Sequence, residues 1–163
     1  MENCFGGIMN ANIINPFIDA TFTFLEKAQR FKISKGRLSL VNSPVVGDEV
    51  NTILKLNGYA SGQVIFSMSL NTAKKIASAM LQGLPVDELD ELAQSAINEM
   101  GNIITGLASC LLTGDGLLCT ITPPLLMFGK KVKTLFSDLP AIVIPINSDF
   151  GEITMLVELR EAG

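Results

Sequence analysis

Histidine is absent from all 163 residues, and so is tryptophan. Without histidine there is no Ser-His or Cys-His catalytic arrangement, no imidazole acid–base chemistry, and little scope for a zinc site. Any catalysis must use carboxylates, amides, hydroxyls or chemistry that a partner supplies. Cysteine is scarce: Cys4, Cys110 and Cys119 cannot all pair within one chain, and their spacings fit no metal or redox motif. Buried, reduced thiols in a cytoplasmic protein are the expectation. Charge is thin as well, at 17% of residues, with 12 basic against 16 acidic side chains and a net charge of −4. A nucleic-acid module normally carries a basic footprint, so no nucleic-acid partner is expected. The first seventeen residues have neither the basic nor the apolar region of a signal peptide. Between Met100 and Gly129 the one charge is Asp115, but Gly101, Asn102, Gly106, Gly114 and Pro123-Pro124 break this run well short of a membrane span.

Apolar residues are plentiful, at 48%, enough for a substantial core in a chain of one-domain length. Asn15-Pro16 reads as a helix start, and Phe17, Ala20, Thr21, Phe24, Leu25, Ala28 and Phe31 recur at helical spacing to an end near Arg30. Strand-like runs follow at 37–41, 52–57 and 63–69; in the last, Val64, Phe66 and Met68 share one face. Tyr59-Ala60-Ser61-Gly62 reads as the turn between the second and third runs. Asn71 is the expected cap of a short second helix closed by Gly83. A third helix is expected over 87–112, capped by Asp87 and stopped by Gly114-Asp115-Gly116. Further strands are expected at 117–122, near 132–136, at 141–147 and at 152–159, with a turn at 147–151. The pattern predicts an α+β domain over 10–163 in two layers: three helices on one face of a largely antiparallel sheet. Residues 1–9 are expected to form a flexible extension.

The third helix carries the chemistry. At about 100° per residue, Leu89, Leu92, Ala93, Ala96, Ile97, Met100, Ile103, Ile104, Leu107, Ala108 and Leu111 share a broad apolar face. Opposite them, Ser95, Glu99 and Asn102 form one stripe within about 60° of arc. Gly106 continues the stripe one turn on, where a second molecule's backbone could approach closely. A polar stripe alone is what any surface helix shows. Asparagine and glycine in a helix interior are less expected, because both are poor helix formers, and local departures of this kind gather at functional sites.

The pattern Ser95-x-x-x-Glu99-x-x-Asn102 resembles the motif of the CheC/CheX/FliY phosphatases of chemotaxis. Asn15-Pro16-Phe17, Gly62-Gln63-Val64, the helix around Ala73–Met80 and Pro123-Pro124 before Gly129-Lys130 extend the resemblance over most of the chain, and within the family to CheX. CheC carries the motif on two helices. Here the first helix offers only Asp19, Thr23 and Glu26 at those offsets, so a single site is implied.

The resemblance implies a CheC-like fold, a homodimer in which strands of the two chains pair, and a phosphorylated CheY-like response regulator as partner and substrate. It further implies that Asn102 orients the water attacking the regulator's aspartyl phosphate, that Glu99 pairs with the regulator's active-site lysine, that Ser95 is a supporting contact, and that Gly106 leaves room for a partner loop. No cofactor or metal of its own is implied; Mg2+ belongs to the phosphorylated partner. The uncharged strands 117–122 and 141–147 are the candidate dimer interface. Relatives of this fold in the flagellar switch supply the alternative, a docking module without catalysis.

Overall fold

The computed structural model describes residues 11–42, 45–129, 133–134 and 140–161. Its first helix, α1 (Ala11–Phe22), passes into a π-helical turn over Thr23–Ala28 and is followed by β1 (Ile33–Lys35), β2 (Ser39–Val41), β3 (Val45–Val46), β4 (Val50–Gly58) and β5 (Ala60–Met68). After α2 (Leu70–Met80) the order begins again: α3 (Glu91–Gly114), β6 (Cys119–Ile121), β7 (Leu125–Phe128), β8 (Lys133–Thr134), β9 (Ala141–Ser148) and β10 (Gly151–Glu161). Among the described residues eight strands form one sheet, ordered β1-β9-β10-β5-β4-β6, with β2 also on β9 and β7 also on β4. Exchanging the two runs of elements, β1 for β6, β4 for β9 and β5 for β10, reproduces that order reversed. The chain is therefore two similar halves interleaved about an approximate two-fold at the β5–β10 pair. Nothing in the residue pattern announces this repeat, because the halves share topology without visible sequence likeness.

The expected α+β architecture holds. Every described pairing is antiparallel, and residues from all three helices join one sheet face in a single core. Val64, Phe66 and Met68 are buried in it as the alternation predicts, while Ile65 turns to the reverse face and joins Leu156 in a second, small cluster.

Several boundaries differ from expectation. Helix α1 runs through Pro16 instead of starting there. A proline inside a helix forgoes one backbone hydrogen bond, but Ile13 and Ile14 are buried in phase with Phe17, and that packing keeps the preceding turn helical. Its end is as expected, with Arg30 in the left-handed region at φ 57°. Ser69, not Asn71, caps α2, its Oγ accepting from the Thr72 N–H at 3.1 Å. At the other end the N–H groups of Gln82 and Gly83 bond back to the Ala79 and Ser78 carbonyls, and both residues are left-handed, so Gly83 closes the helix as expected with Gln82 joining it at φ 58°.

Asp90, not Asp87, caps α3: its carboxylate accepts from the Ala93 N–H at 2.9 Å, and Leu89 just before it is buried. In this run of four acids the cap is the aspartate that directly follows the buried Leu89. Strands β1, β3 and β7 were not expected, being too short to show a period. The turn near 59–62 is tighter than expected, since Ala60 and Ser61 already pair with β10. The run expected near 132–136 is seen as β8, its remainder lying outside the described residues, as do the expected extension 1–9 and Cys4. Strand β9 is hydrogen-bonded on both sides, to β10 and to β1 and β2, so it has no free edge with which to pair another chain. Strand β6 ends the sheet's path.

The cap gives a test. Asp90→Ala should lower the unfolding free energy by about 1 kcal/mol in a denaturant titration, whereas Asp87→Ala, an exposed change outside the helix, should stay within about 0.5 kcal/mol of wild type.

Candidate functional site

Helix α3 is 24 residues long and rests on the sheet through Ala93, Ala96, Ile97, Met100, Gly101, Ile104, Ala108 and Leu112, all buried. It packs against α1, α2, β4, β6 and β7. On the opposite side Ser95, Glu99, Asn102 and Gly106 are exposed, so the structure brings the four sequence-derived residues onto one solvent-facing stripe. None of the Ser95, Glu99 or Asn102 side chains bonds to a described residue. Glu99 and Asn102 stand about 4.5 Å apart along the helix axis. A carboxylate that accepts and an amide that both donates and accepts are thus left open to solvent. Among the described residues no group of three or more His, Cys, Asp or Glu side chains is placed to hold a metal ion.

The two glycines of the helix do different work. A Cβ on Gly101 would lie 2.9 Å from Pro124 Cβ and 3.0 Å from Thr52 Cγ2, so the missing side chain is what lets α3 sit down on β4 and the segment before β7. A Cβ on Gly106 would meet nothing within 4 Å. Gly101 is a packing glycine; Gly106 faces open space. Gly106 lies open as its place on the polar stripe suggests, and Gly101, for which the pattern alone offers no reason, shows that a glycine on the apolar face of a helix is itself a sign of close approach from below.

The predicted apolar face was drawn too wide. Leu92, Ile103 and Leu111 are exposed, because the sheet covers a narrower arc than the hydrophobic residues occupy. The thiols also differ from expectation: Cys110 is exposed on α3 and Cys119 is half-buried, both unpaired.

Three helices on one face of an antiparallel sheet make an α+β fold of the CheC-like kind. Comparison with known proteins agrees. The family model "Chemotaxis phosphatase CheX" matches residues 50–147, a span that contains the whole of α3. The CheY-P phosphatase CheX of Thermotoga maritima is 33% identical over 125 residues, 77% of this chain and 81% of that protein. Among solved structures, a CheC-like superfamily protein from a Shewanella species superposes with TM-score 0.81 at 25% identity, covering 95% of this chain and all of the other. The CheX–CheY–BeF3–Mg2+ complex of Borrelia burgdorferi matches with TM-score 0.76 at 28% identity, over 91% of this chain and 98% of the other. The chain belongs to the CheX family of chemotaxis phosphatases.

The glycines should respond with opposite sign to the same change. Gly106→Ala should raise stability by about 0.5–1 kcal/mol, the ordinary gain of alanine over glycine in a helix. Gly101→Ala should lower it by about 1 kcal/mol despite that gain, because overpacking against Pro124 and Thr52 outweighs it. Thermal melts of the two variants check this.

Proposed function

We propose that this chain dephosphorylates a CheY-like response regulator, with Glu99 and Asn102 as the residues that do so. The reading is carried by one observation: an acid and an amide one turn apart on an exposed helix face, with no partner of their own among the described residues. The domain doing this work spans residues 10–163.

An aspartyl phosphate is a mixed anhydride, already activated, and its regulator contributes Mg2+ and a lysine around the phosphoryl group. What hydrolysis lacks is a water held in line. The Asn102 carbonyl accepts a hydrogen bond from that water, and its NH2 donates to a neighbouring oxygen. The water oxygen attacks phosphorus, the bond from phosphorus to the aspartyl oxygen breaks, and inorganic phosphate and the free carboxylate result. Positioning of this kind needs no histidine. Glu99 pairs with the regulator's lysine and fixes the register of the helix in the partner's site. Ser95 adds a supporting contact, and the open space over Gly106 admits the partner's backbone. Mg2+ comes with the regulator.

The protein acts as a cytoplasmic homodimer. Its apolar excess and the exposed Leu118 of the edge segment around β6 support pairing there. Light scattering at micromolar concentration should return twice the 17.5 kDa chain mass.

The two site residues should fail differently. Asn102→Ala should bind the regulator nearly as well as wild type yet lower the single-turnover hydrolysis rate about 10²-fold. Glu99→Ala should weaken binding to the beryllofluoride-activated regulator roughly tenfold or more, and lose activity mainly through affinity. Both side chains face solvent, so melting temperatures should hold. Full activity in Asn102→Ala would replace this reading with a docking module of the flagellar-switch kind. Calorimetry of the isolated protein should show no tight stoichiometric Mg2+ binding, while hydrolysis should stop when EDTA removes Mg2+ from the regulator.

A further inference from the structure

Large apolar side chains line the exposed side of α3 where the hydrophobic pattern had assigned core. Leu92 is 52% exposed and Ile103 36%. On the helix they lie within about 40° of Glu99, Leu92 two turns before it and Ile103 one turn after. At its upper end this apolar track meets a cleft of about 380 Å3 beside the connection from α2, lined by Leu84 and Leu92, with Asp87, Glu88 and Asp90 around it. Leu84 is itself 51% exposed.

We infer that this track selects the regulator: an apolar surface of the phosphorylated partner, edged by basic residues, seats across Leu84, Leu92 and Ile103 while its phosphoryl group meets Glu99 and Asn102. The inference rests on the function proposed above and names what that function leaves open, the source of specificity. Glu99 and Asn102 address a lysine, a water and a phosphoryl group, which every phosphorylated regulator presents, so they cannot tell one regulator from another. Discrimination has to come from surface outside the reacting groups.

A fully solvated ion pair contributes little, roughly 0–1 kcal/mol, so the Glu99 contact fixes register only if water is excluded around it. Ile103 one turn after it and Leu92 two turns before it supply apolar surface along one flank of Glu99 that does this. The rim of the cleft has three carboxylates and no basic residue, which steers a basic-edged surface and repels an acidic one. The track from Leu92 to Ile103 covers about 16 Å of helix, and with the cleft it fits within one side of a standard interface of roughly 800 Å2.

The test uses the full chain and an acetyl-phosphate-phosphorylated CheY that the wild-type protein dephosphorylates, with KM and kcat measured separately. Leu92→Ser and Ile103→Ser should each raise KM about tenfold, with kcat at saturating regulator within twofold and melting temperature unchanged. Glu88→Gln should flatten the salt dependence of kcat/KM. A KM within twofold of wild type in both serine variants overturns the inference, and so does a fall in kcat with KM unmoved. Conversion of the dimer to monomer with KM unmoved overturns it too and gives the track to a second copy of the chain. Asn102→Ala, run beside them, keeps the two readings apart. Full activity there overturns the phosphatase function itself. An inactive Asn102→Ala with unmoved KM in the serine variants overturns the selection surface alone.

Discussion

At Gly101 the backbone of α3 comes so close to the sheet that a single methyl group would sit 2.9 Å from the ring of Pro124. That contact fixes how deeply the helix lies over β4, and the next residue in the chain is Asn102. A site made of side chains on an exposed helix has no pocket walls to correct a displaced group. Its accuracy is the accuracy with which the helix is seated. The seat is rigid for ordinary reasons: Ile97, Met100 and Ile104 are buried around Gly101, and a close-packed interior does not deform smoothly. The helix ends are tied down as well, by the Asp90 carboxylate at one and by Gly116 in a left-handed turn at the other.

This arrangement separates two demands that enclosed active sites must reconcile. Buried packing lies on one side of α3 and the proposed site on the other, with a narrow apolar border between them. The border is where Leu92 and Ile103 lie, and it is where reading hydrophobicity as burial goes wrong. An exposed leucine beside a charged residue has no place in a folding argument, but it has one in a recognition argument, because an interface centre is built of the same atoms as a core.

What could be read from the residues follows from what each feature depends on. The stripe Ser95, Glu99, Asn102 and Gly106 needs only the helical period, which any sequence displays, and it came out where expected. The alternation of Val64, Phe66 and Met68, the turn around Asp149 and the stop at Gly114 are local in the same sense. Features that depend on partners far along the chain did not show. Pro16 looked like a helix start because the burial of Ile13 and Ile14 is decided by tertiary packing. Asp87 and Asp90 are chemically alike, and only the buried Leu89 separates them. Strand β9 looked like interface material because it is uncharged, yet it is an interior strand. Strand β7 has four residues, and its identity comes from pairing with β4, not from its own sequence.

The interleaving of the two halves has a consequence for how the molecule comes into being. Strand β1, from the first half, pairs with β9 of the second, and β6, from the second half, pairs with β4 of the first. Neither half can complete its own sheet, so there is no autonomous subunit that could assemble early and wait for the rest. The central ladder joins residues 60–68 to 153–161, nearly a hundred positions apart, and it cannot close until most of the chain has been synthesised. Pairings of such separation make for slow, strongly cooperative assembly. A half-translated copy therefore has a helix α1 but no platform on which α3 could come to rest.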